Sequence, residues 1–387
     1  MSDGAIFAKK PELSLAQHKF AALNGTPQQR SEALQSLIDG IKQDKMSAFY
    51  TQLVAEGILQ QDSALLKELE KASAEELAEL DKKVEEAKEE QGDLEQNESS
   101  IHRAVFLAQI GEDEKAHAAY EEVLQRPTTT LNQKLDIVFG KLRLALFYYN
   151  PQTIQKEIER AHELVNKGGD WDRRNRLKAV ECIWHCSQRQ FKEASALFIE
   201  CLSTYSSPEL MPMSEFVCHG ALACAVVMSR ADIKKKVIDA PEVVEVVGSI
   251  PNVDKMMRSL HDCHYADFFV ALAEVETEHL KVSRYLNKHY HYFTREMRIR
   301  GYAQLLESYL SLTLKSMADS FGVTTEFIDK ELSRFIAAGR LHCVIDKVGG
   351  IVVTNRPDTK NAQYQNTIKQ GDLLLNRVQK LSGIVSM

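Results

Sequence analysis

The chain has 387 residues, of which 44% are hydrophobic and 27% charged, and its formal net charge is −7. This length suffices for about two to three packed units. A mildly acidic chain gives no electrostatic reason to expect nucleic acid or an anionic membrane as partner. The N-terminus lacks the apolar core of a signal peptide, and no apolar run approaches the roughly 20 residues that cross a bilayer. We therefore expect a soluble intracellular protein.

The seven cysteines are scattered, odd in number and mostly placed in apolar helical stretches. Buried free thiols behave as small hydrophobes, so this usage indicates a reducing compartment rather than a disulfide framework.

Residues 1–96 are predicted to form an N-terminal helical segment. Its first part carries a one-sided apolar stripe over residues 34–41, and residues 63–96 are rich in Lys and Glu. Ser73 followed by Glu76 has the spacing of a capping box and predicts a helix start at Ser73. The apolar face beyond it, residues 77–87, is typical of a long solvated helix with one seam. The alternative interpretation is a coiled segment that faces a partner.

Residues 97–205 have the spacing of tetratricopeptide-like helical repeats. Gly111 marks a turn, and Ala116 and Ala194 begin similar helical patterns two steps of about 39 residues apart. Between them, Asn150 and Pro151 are a helix cap and a first helical residue. Such units stack because one unit cannot bury its own faces, which predicts a right-handed solenoid.

The C-terminal half changes pattern. Residues 206–300 continue as helices, and residues 301–357 read as three helices and a two-stranded hairpin with a glycine turn, the order of a winged helix. In its third helix, Thr324 is the predicted cap and Phe327 one of the residues facing inward. Residues 358–387 form one more helix, in which Gly371 interrupts the pattern. The predicted fold class is all-α, a solenoid followed by a winged-helix domain and a C-terminal helix.

Candidate catalytic groups are few. Cys182, His185 and Cys186 share a helical turn, and 261–264 and 289–291 hold further His and Cys residues, but none completes a four-ligand metal set. The phosphate-binding glycine loop and the serine nucleophile elbow are both absent. We expect no enzyme activity, no cofactor and no metal. These His and Cys residues are interpreted as packing in the core or in an interface.

Two charge clusters have alternative interpretations. In the predicted winged helix, Lys330, Arg334 and Arg340 are set against acidic neighbours, which favours protein docking over nucleic-acid binding. The second cluster combines Asp170 and Asp172 with Arg173, Arg174 and Arg176. It is interpreted as an ion-paired loop between solenoid helices, with a subunit contact as the alternative.

Several long segments carry a family resemblance. The domain order and these segments resemble the PCI-domain subunits of the proteasome regulatory lid, with the PCI-domain subunit of the signalosome that shares this domain order as the nearest alternative. The segments are Gly168–Lys178, Arg295–Ile299, Gln304–Tyr309, Glu331–Cys343, Thr354–Asp358 and Gly371–Leu381.

The resemblance implies a non-catalytic scaffold. A subunit of this kind would support assembly of the lid of the 19S regulatory particle and so ATP- and ubiquitin-dependent degradation. The implied partners are other lid PCI subunits, the lid deubiquitinase pair and the base ATPase ring, in a hetero-oligomer of cytoplasm and nucleus, with no nucleic acid and no membrane. The signalosome alternative would make it a scaffold of a deneddylase complex.

Two surfaces are predicted to meet neighbouring subunits. One is the exposed edge of the hairpin, represented by Val344 and Val352, because an open strand edge can accept another strand. The other is an apolar stripe on the C-terminal helix, which has few internal partners. Its residues are Leu374, Val378, Leu381 and Val385.

Overall fold

A computed structural model describes residues 9–25, 27–90, 92–355 and 359–385. These residues are mainly helical and include one small sheet, as predicted. The chain divides into two compact units, here called the solenoid unit (residues 1–262 and 270–295) and the winged-helix unit (263–269 and 296–387). Among the described helices, none combines the length and the hydropathy needed to cross a lipid bilayer.

The helices in the first half of the chain are mostly long. They are α1 (Leu13–Asn24), α2 (Pro27–Asp44), α3 (Ser47–Ala55), α4 (Ser63–Glu90), α5 (Asp93–Ile110), α6 (Asp113–Gln125), α7 (Leu131–Tyr148), α8 (Pro151–Asn166), α9 (Trp171–Ser187) and α10 (Phe191–Cys201).

Shorter helices follow, and then the small sheet. They are α11 (Met213–Val227), α12 (Arg230–Ile233), α13 (Pro241–Val246), α14 (Pro251–His261), α15 (Tyr265–Val275), α16 (Tyr290–Ser308), β1 (Ser311–Thr313), α17 (Leu314–Phe321), α18 (Thr325–Ala337), β2 (Cys343–Asp346), β3 (Ile351–Thr354) and α19 (Thr359–Val385). Single turns of 3₁₀- or π-helix connect several of them.

Helix α4 begins ten residues before the predicted start. Ser73 lies inside the helix, where its hydroxyl donates to the carbonyl of Glu70 and lies 3.2 Å from the hydroxyl of Ser47. Glu76 pairs with Lys45 instead of closing a capping box. The prediction was wrong because the Ser and Glu of this motif form tertiary contacts. The predicted apolar seam is confirmed, since Leu77 and Leu80 pack on the core formed by α5–α9.

The predicted helix pairs are confirmed as α5–α6, α7–α8 and α9–α10, each packed as neighbours. Gly111 ends α5 with φ 92°, and Asn150 caps α8 by accepting from the amide of Thr153. Helices α10 and α11 pack closely at Gly220. There a Cβ on Gly220 would lie 1.9 Å from the ring of Phe198, so only glycine fits.

The winged-helix unit contains a three-stranded antiparallel sheet of order β1-β3-β2. The hairpin prediction therefore missed β1, a strand of three residues that covers one side of β3. Helices α17 and α18 begin at Thr313 and Thr324, whose side chains cap them as the sequence indicates for Thr324. The core of the unit is built from residues of α16–α18 and the sheet, including Tyr302, Phe321 and Val352.

Two predictions for this unit were wrong. Phe327 is exposed, because the inward stripe of α18 runs through Ile328, Leu332 and Phe335 at helical spacing and leaves Phe327 beside it. Helix α19 runs unbroken through Gly371, since an isolated glycine weakens a helix without ending it. Pro357, expected to close the domain, lies outside the described residues.

Candidate assembly surfaces

β2 forms one edge of the sheet and β1 the other, and the outer side of β2 pairs with no described strand. Val344 lies directly opposite Val353 in the β2–β3 pair, and both side chains are exposed, at 53% and 39%. Side chains alternate between the two faces of a strand. The sheet therefore presents an open edge and a small apolar patch on the same face.

Val352 lies on the other face of β3 and is 0% exposed. It packs in the core of the winged-helix unit, against residues of α16 and α18. The two valines chosen from the sequence are therefore in different environments. Of the two, only Val344 has an exposed side chain, and Val353, which was not among the predicted residues, lies opposite it.

Helix α19 shows no buried side chain among those described between Lys360 and Ile384. Leu374, Val378 and Leu381 are exposed at 64%, 57% and 62%, and the side chain of Val385 lies outside the described residues. Further exposed apolar side chains lie on the same helix, before and after the stripe at Tyr364, Ile368 and Ile384 and on both sides of Leu374 at Leu373 and Leu375. The exposed apolar surface is therefore longer and wider than the predicted stripe, because three successive leucines do not share one helical face.

The Asp/Arg cluster of residues 170–176 is the first two turns of α9 and not a loop. Asp170 caps the helix and pairs with Arg173, whose guanidinium also reaches both carboxylate oxygens of Asp136, at 2.9–3.1 Å. Burial raises the pKa of Asp136, and the hydrogen bonds from Arg173 act against that rise. The predicted ion pairing is present, and it joins α9 to α7.

The candidate metal ligands are engaged in contacts within the fold. The thiol of Cys182 donates to the carbonyl of Ala194, and His185 lies 2.6 Å from the side-chain oxygen of Gln190. His289 contacts the carbonyl of Ser187 at 2.8 Å. Within the part of the chain that the structure describes, no three His, Cys, Asp or Glu residues are grouped as metal ligands would be.

A cleft of about 770 Å³ lies in the solenoid unit. Two buried guanidinium groups line it, and both bind backbone carbonyls. Arg143 donates to Pro11 at 2.7 Å, and Arg284 donates to Leu146 and Phe147 at 2.9 and 3.1 Å. Since the last two carbonyls belong to the C-terminal turn of α7, where a cation is favoured, these arginines join segments of the fold.

Family models match most of the chain in three successive segments. The model of the 26S proteasome subunit RPN7 matches residues 62–236, and the PCI domain matches residues 265–356. The model of the C-terminal helix of the 26S proteasome regulatory subunit RPN7/PSMD6 matches residues 363–385, which lie in α19.

Full-length relatives agree with these matches. The 26S proteasome non-ATPase regulatory subunit 6 of Oryza sativa is 43% identical over 91% of this chain and 90% of the relative. The homolog from Arabidopsis thaliana is 41% identical over the whole of both chains, and regulatory subunit RPN7 of Saccharomyces cerevisiae is 35% identical over 93% and 89%.

The signalosome alternative matches only distantly. Subunit 1 of the COP9 signalosome complex of Arabidopsis thaliana is 22% identical over 51% of this chain and 45% of the relative. The chain therefore belongs to the RPN7/PSMD6 family of 26S proteasome regulatory subunits, and it carries that family's PCI domain and C-terminal helix.

Proposed function

We propose that this chain is a non-catalytic structural subunit of the lid of the 19S regulatory particle. There it supports lid assembly and thereby ATP- and ubiquitin-dependent protein degradation by the 26S proteasome. The observation that carries the proposal is the row of exposed apolar side chains along α19. The names of the full-length relatives identify the complex in which such a row would be covered.

The physical argument concerns apolar area. Leu374, Val378 and Leu381 follow one another at intervals of four and three residues, so they lie on one face of α19. Removing apolar surface from water contributes about 25 cal/mol per Å². A helix that buries none of its described side chains within its own chain gains this stabilisation only by packing on other polypeptides.

The edge of β2 is the second surface in the proposal. Its unpaired backbone groups can accept a strand or loop of a neighbouring PCI subunit, and Val344 and Val353 supply apolar contact beside them. The proposed partners are the other lid PCI subunits, the lid deubiquitinase pair and the base ATPase ring. We place the hetero-oligomer in cytoplasm and nucleus, without nucleic acid or membrane contact.

The non-catalytic role is supported by the burial of six of the seven cysteine thiols, Cys263 being the exposed one. Burial raises the pKa of Cys201, Cys218 and Cys224 to about 12, so these thiols stay protonated, whereas a nucleophilic cysteine acts as thiolate. Cys182 is also buried and its pKa is raised, first through its hydrogen bond with Cys186 and then by burial.

Deletion of residues 359–387 tests the proposal. We expect the shortened chain to keep the unfolding midpoint of the full chain, because no described side chain of 360–384 is buried. It should fail to enter the lid when the complex is reconstituted and examined on a native gel. Normal incorporation of the shortened chain would contradict the proposed role of α19.

A second variant separates the effect of losing the apolar face from the effect of losing the whole helix. Serine at Leu374, Val378 and Leu381 should reproduce the assembly defect. Serine at Asn376 and Gln379, exposed polar positions of the same helix, is the matched control and should assemble normally.

A further inference from the structure

Trp171, the first residue of α9, is 63% exposed. The chain has two tryptophans, and the other, Trp184, is buried with its indole nitrogen bonded to Gln155. Burying an indole removes a large apolar area from water and is favourable. An exposed tryptophan therefore suggests a surface that another molecule covers. Tryptophan and arginine are the residues most enriched where binding energy concentrates in protein interfaces.

The charged residues beside Trp171 hold the start of α9 rigidly in place. Asp170 accepts from the amide of Arg173 at 3.0 Å, and Arg173 makes a forked contact with Asp136 of α7. One residue after the tryptophan, Asp172 accepts from Ser206 at 2.8 Å. These contacts tie the first turn of α9 to α7 and to the segment after α10, so the indole is presented on a fixed backbone.

A second group of ion pairs, centred on Arg176, also holds the start of α9. Arg176 pairs with Asp172 at 2.8 Å and with Glu209 at 3.4 Å. Together, the two groups engage the carboxylates at 136, 170, 172 and 209 with arginine partners in the same chain. These pairs leave no carboxylate of residues 168–178 unmatched.

Arg174 is the remaining arginine of residues 168–178. It is exposed and makes no ion pair with any residue the structure describes, and the same holds for Lys167 just before the segment. Arg174 lies three residues after Trp171, so both side chains share one face of α9. The surface is thus an apolar anchor next to unpaired positive charge.

We propose that Trp171 and Arg174 form a docking site on the solenoid unit for an acidic segment of another subunit. The indole enters an apolar recess of that subunit, and the Arg174 guanidinium pairs with a carboxylate at its rim. This site is additional to β2 and α19, and it rests on the proposed membership of the chain in the lid complex.

Charge complementarity selects this occupant. A second copy of the chain would bring Arg174 and Lys167 against their own equivalents in a symmetric contact, which like charges oppose. Nucleic acid binding depends on accumulated positive charge, and two unpaired cations among paired aspartates do not supply it. A polypeptide that offers carboxylates beside an apolar recess satisfies both groups at once.

The test is site-specific photocrosslinking in the assembled regulatory particle. Trp171 is replaced by a photoreactive benzoylphenylalanine in the full chain, the particle is assembled and irradiated, and the crosslinked peptide is identified by mass spectrometry. We expect one peptide of another subunit with Asp or Glu beside an apolar stretch. A peptide of a second copy, a peptide without carboxylates, or no crosslink in an assembled particle would each overturn the proposal.

A charge series makes the test quantitative. Arg174→Glu should lower the crosslink yield about tenfold or more, because it replaces an attractive pair with two like charges, a change that exceeds the energy of a tenfold effect. Arg174→Lys should retain much of the yield. The matched control is Lys192→Glu, the same charge reversal at an exposed position on α10, and should leave it unchanged.

The series also separates this site from the proposed function. Each free variant should unfold at the wild-type midpoint, because substitutions at exposed positions change stability little. Arg174→Glu chains should still enter the particle through α19. An equal crosslink yield from Arg174→Glu and wild type would refute the docking site alone, whereas a wild-type chain that never enters the particle would refute the proposed function.

Discussion

His219 lies in the middle of α11 with both ring nitrogens engaged. Nδ1 is 2.7 Å from the carbonyl of Glu215, which can only accept, so this nitrogen carries the proton. Nε2 is 2.8 Å from the hydroxyl of Ser283, which donates to it. Burial lowers the pKa of the imidazole, more than the hydrogen bond to Glu215 raises it, and nearby His279 lowers it further. The fold therefore holds His219 neutral.

This environment predicts a pH-dependent stability. The unfolded chain protonates His219 near its ordinary pKa of 6.5, while the folded chain resists protonation. The stabilisation is complete above pH 6.5 and declines as the pH falls toward the lowered pKa, by about 1.4 kcal/mol per unit of pKa difference. His219→Gln, which keeps a donor and an acceptor but cannot be protonated, should reduce the loss between pH 7 and pH 5.

Urea unfolding of the two chains across this pH range is the measurement. His291→Gln is the control, because His291 is exposed and its replacement should leave the wild-type pH profile in place. Superimposable profiles for wild type and His219→Gln would show that protonation of His219 does not limit stability.

At the level of single elements, β3 explains why the consecutive valines Val352 and Val353 lie in different environments. It is the central strand, so its backbone is paired on both sides, and Val352 faces the core while Val353 faces outward. β2 has only one partner, so its outer edge remains open. The proposed docking and the folding of the unit would therefore depend on different residues of the same small sheet.

Lysine substitutions should separate the two roles. Val344→Lys should change the free energy of unfolding by only about 0.5 kcal/mol, because the side chain is 53% exposed, while weakening lid assembly. Val352→Lys should destabilise the winged-helix unit by several kcal/mol, because it buries an unpaired charge. Chemical denaturation of the free chain and native-gel reconstitution distinguish these effects. Normal assembly of the Val344→Lys chain would argue against the edge as a docking surface.

At the scale of the whole molecule, the surfaces proposed for assembly are spread over both compact units. Helix α19 and the β2 edge belong to the winged-helix unit, and Trp171 belongs to the solenoid unit. Most helical stability in proteins comes from tertiary packing of an apolar face, and the described side chains of the 27-residue α19 are all exposed. The free chain should therefore be least protected where it lacks internal partners.

Hydrogen exchange measures this directly. In the free chain, backbone amides of 363–385 should exchange fast, while the cores of α7, α9 and α11 remain protected. In the assembled particle, protection should rise in 363–385 and along β2 and change little in those cores. Strong protection of 363–385 in the free chain would mean that its own fold already stabilises this helix.

Local pattern was enough to predict most helices, because their signals involve neighbouring residues. Thr324 and Asn150 cap helices as their side chains suggest, and Gly111 ends one at positive φ. The apolar stripe of α19 was likewise readable from its spacing alone. Such features depend on three or four successive residues, so sequence determines them directly.

Only the tertiary structure decided the remaining features, because each depends on residues far apart in the chain. Ser73 lies mid-helix beside Ser47, β1 completes the sheet by pairing with β3, and Val352 is buried while Val344 is not. The Asp and Arg residues around Trp171 were visible in the sequence. Their partners were not, because Asp136 binds Arg173 and Ser206 binds Asp172 from other segments of the chain. Arg173 and Asp172 are engaged by these distant residues, whereas Trp171 and Arg174 are exposed.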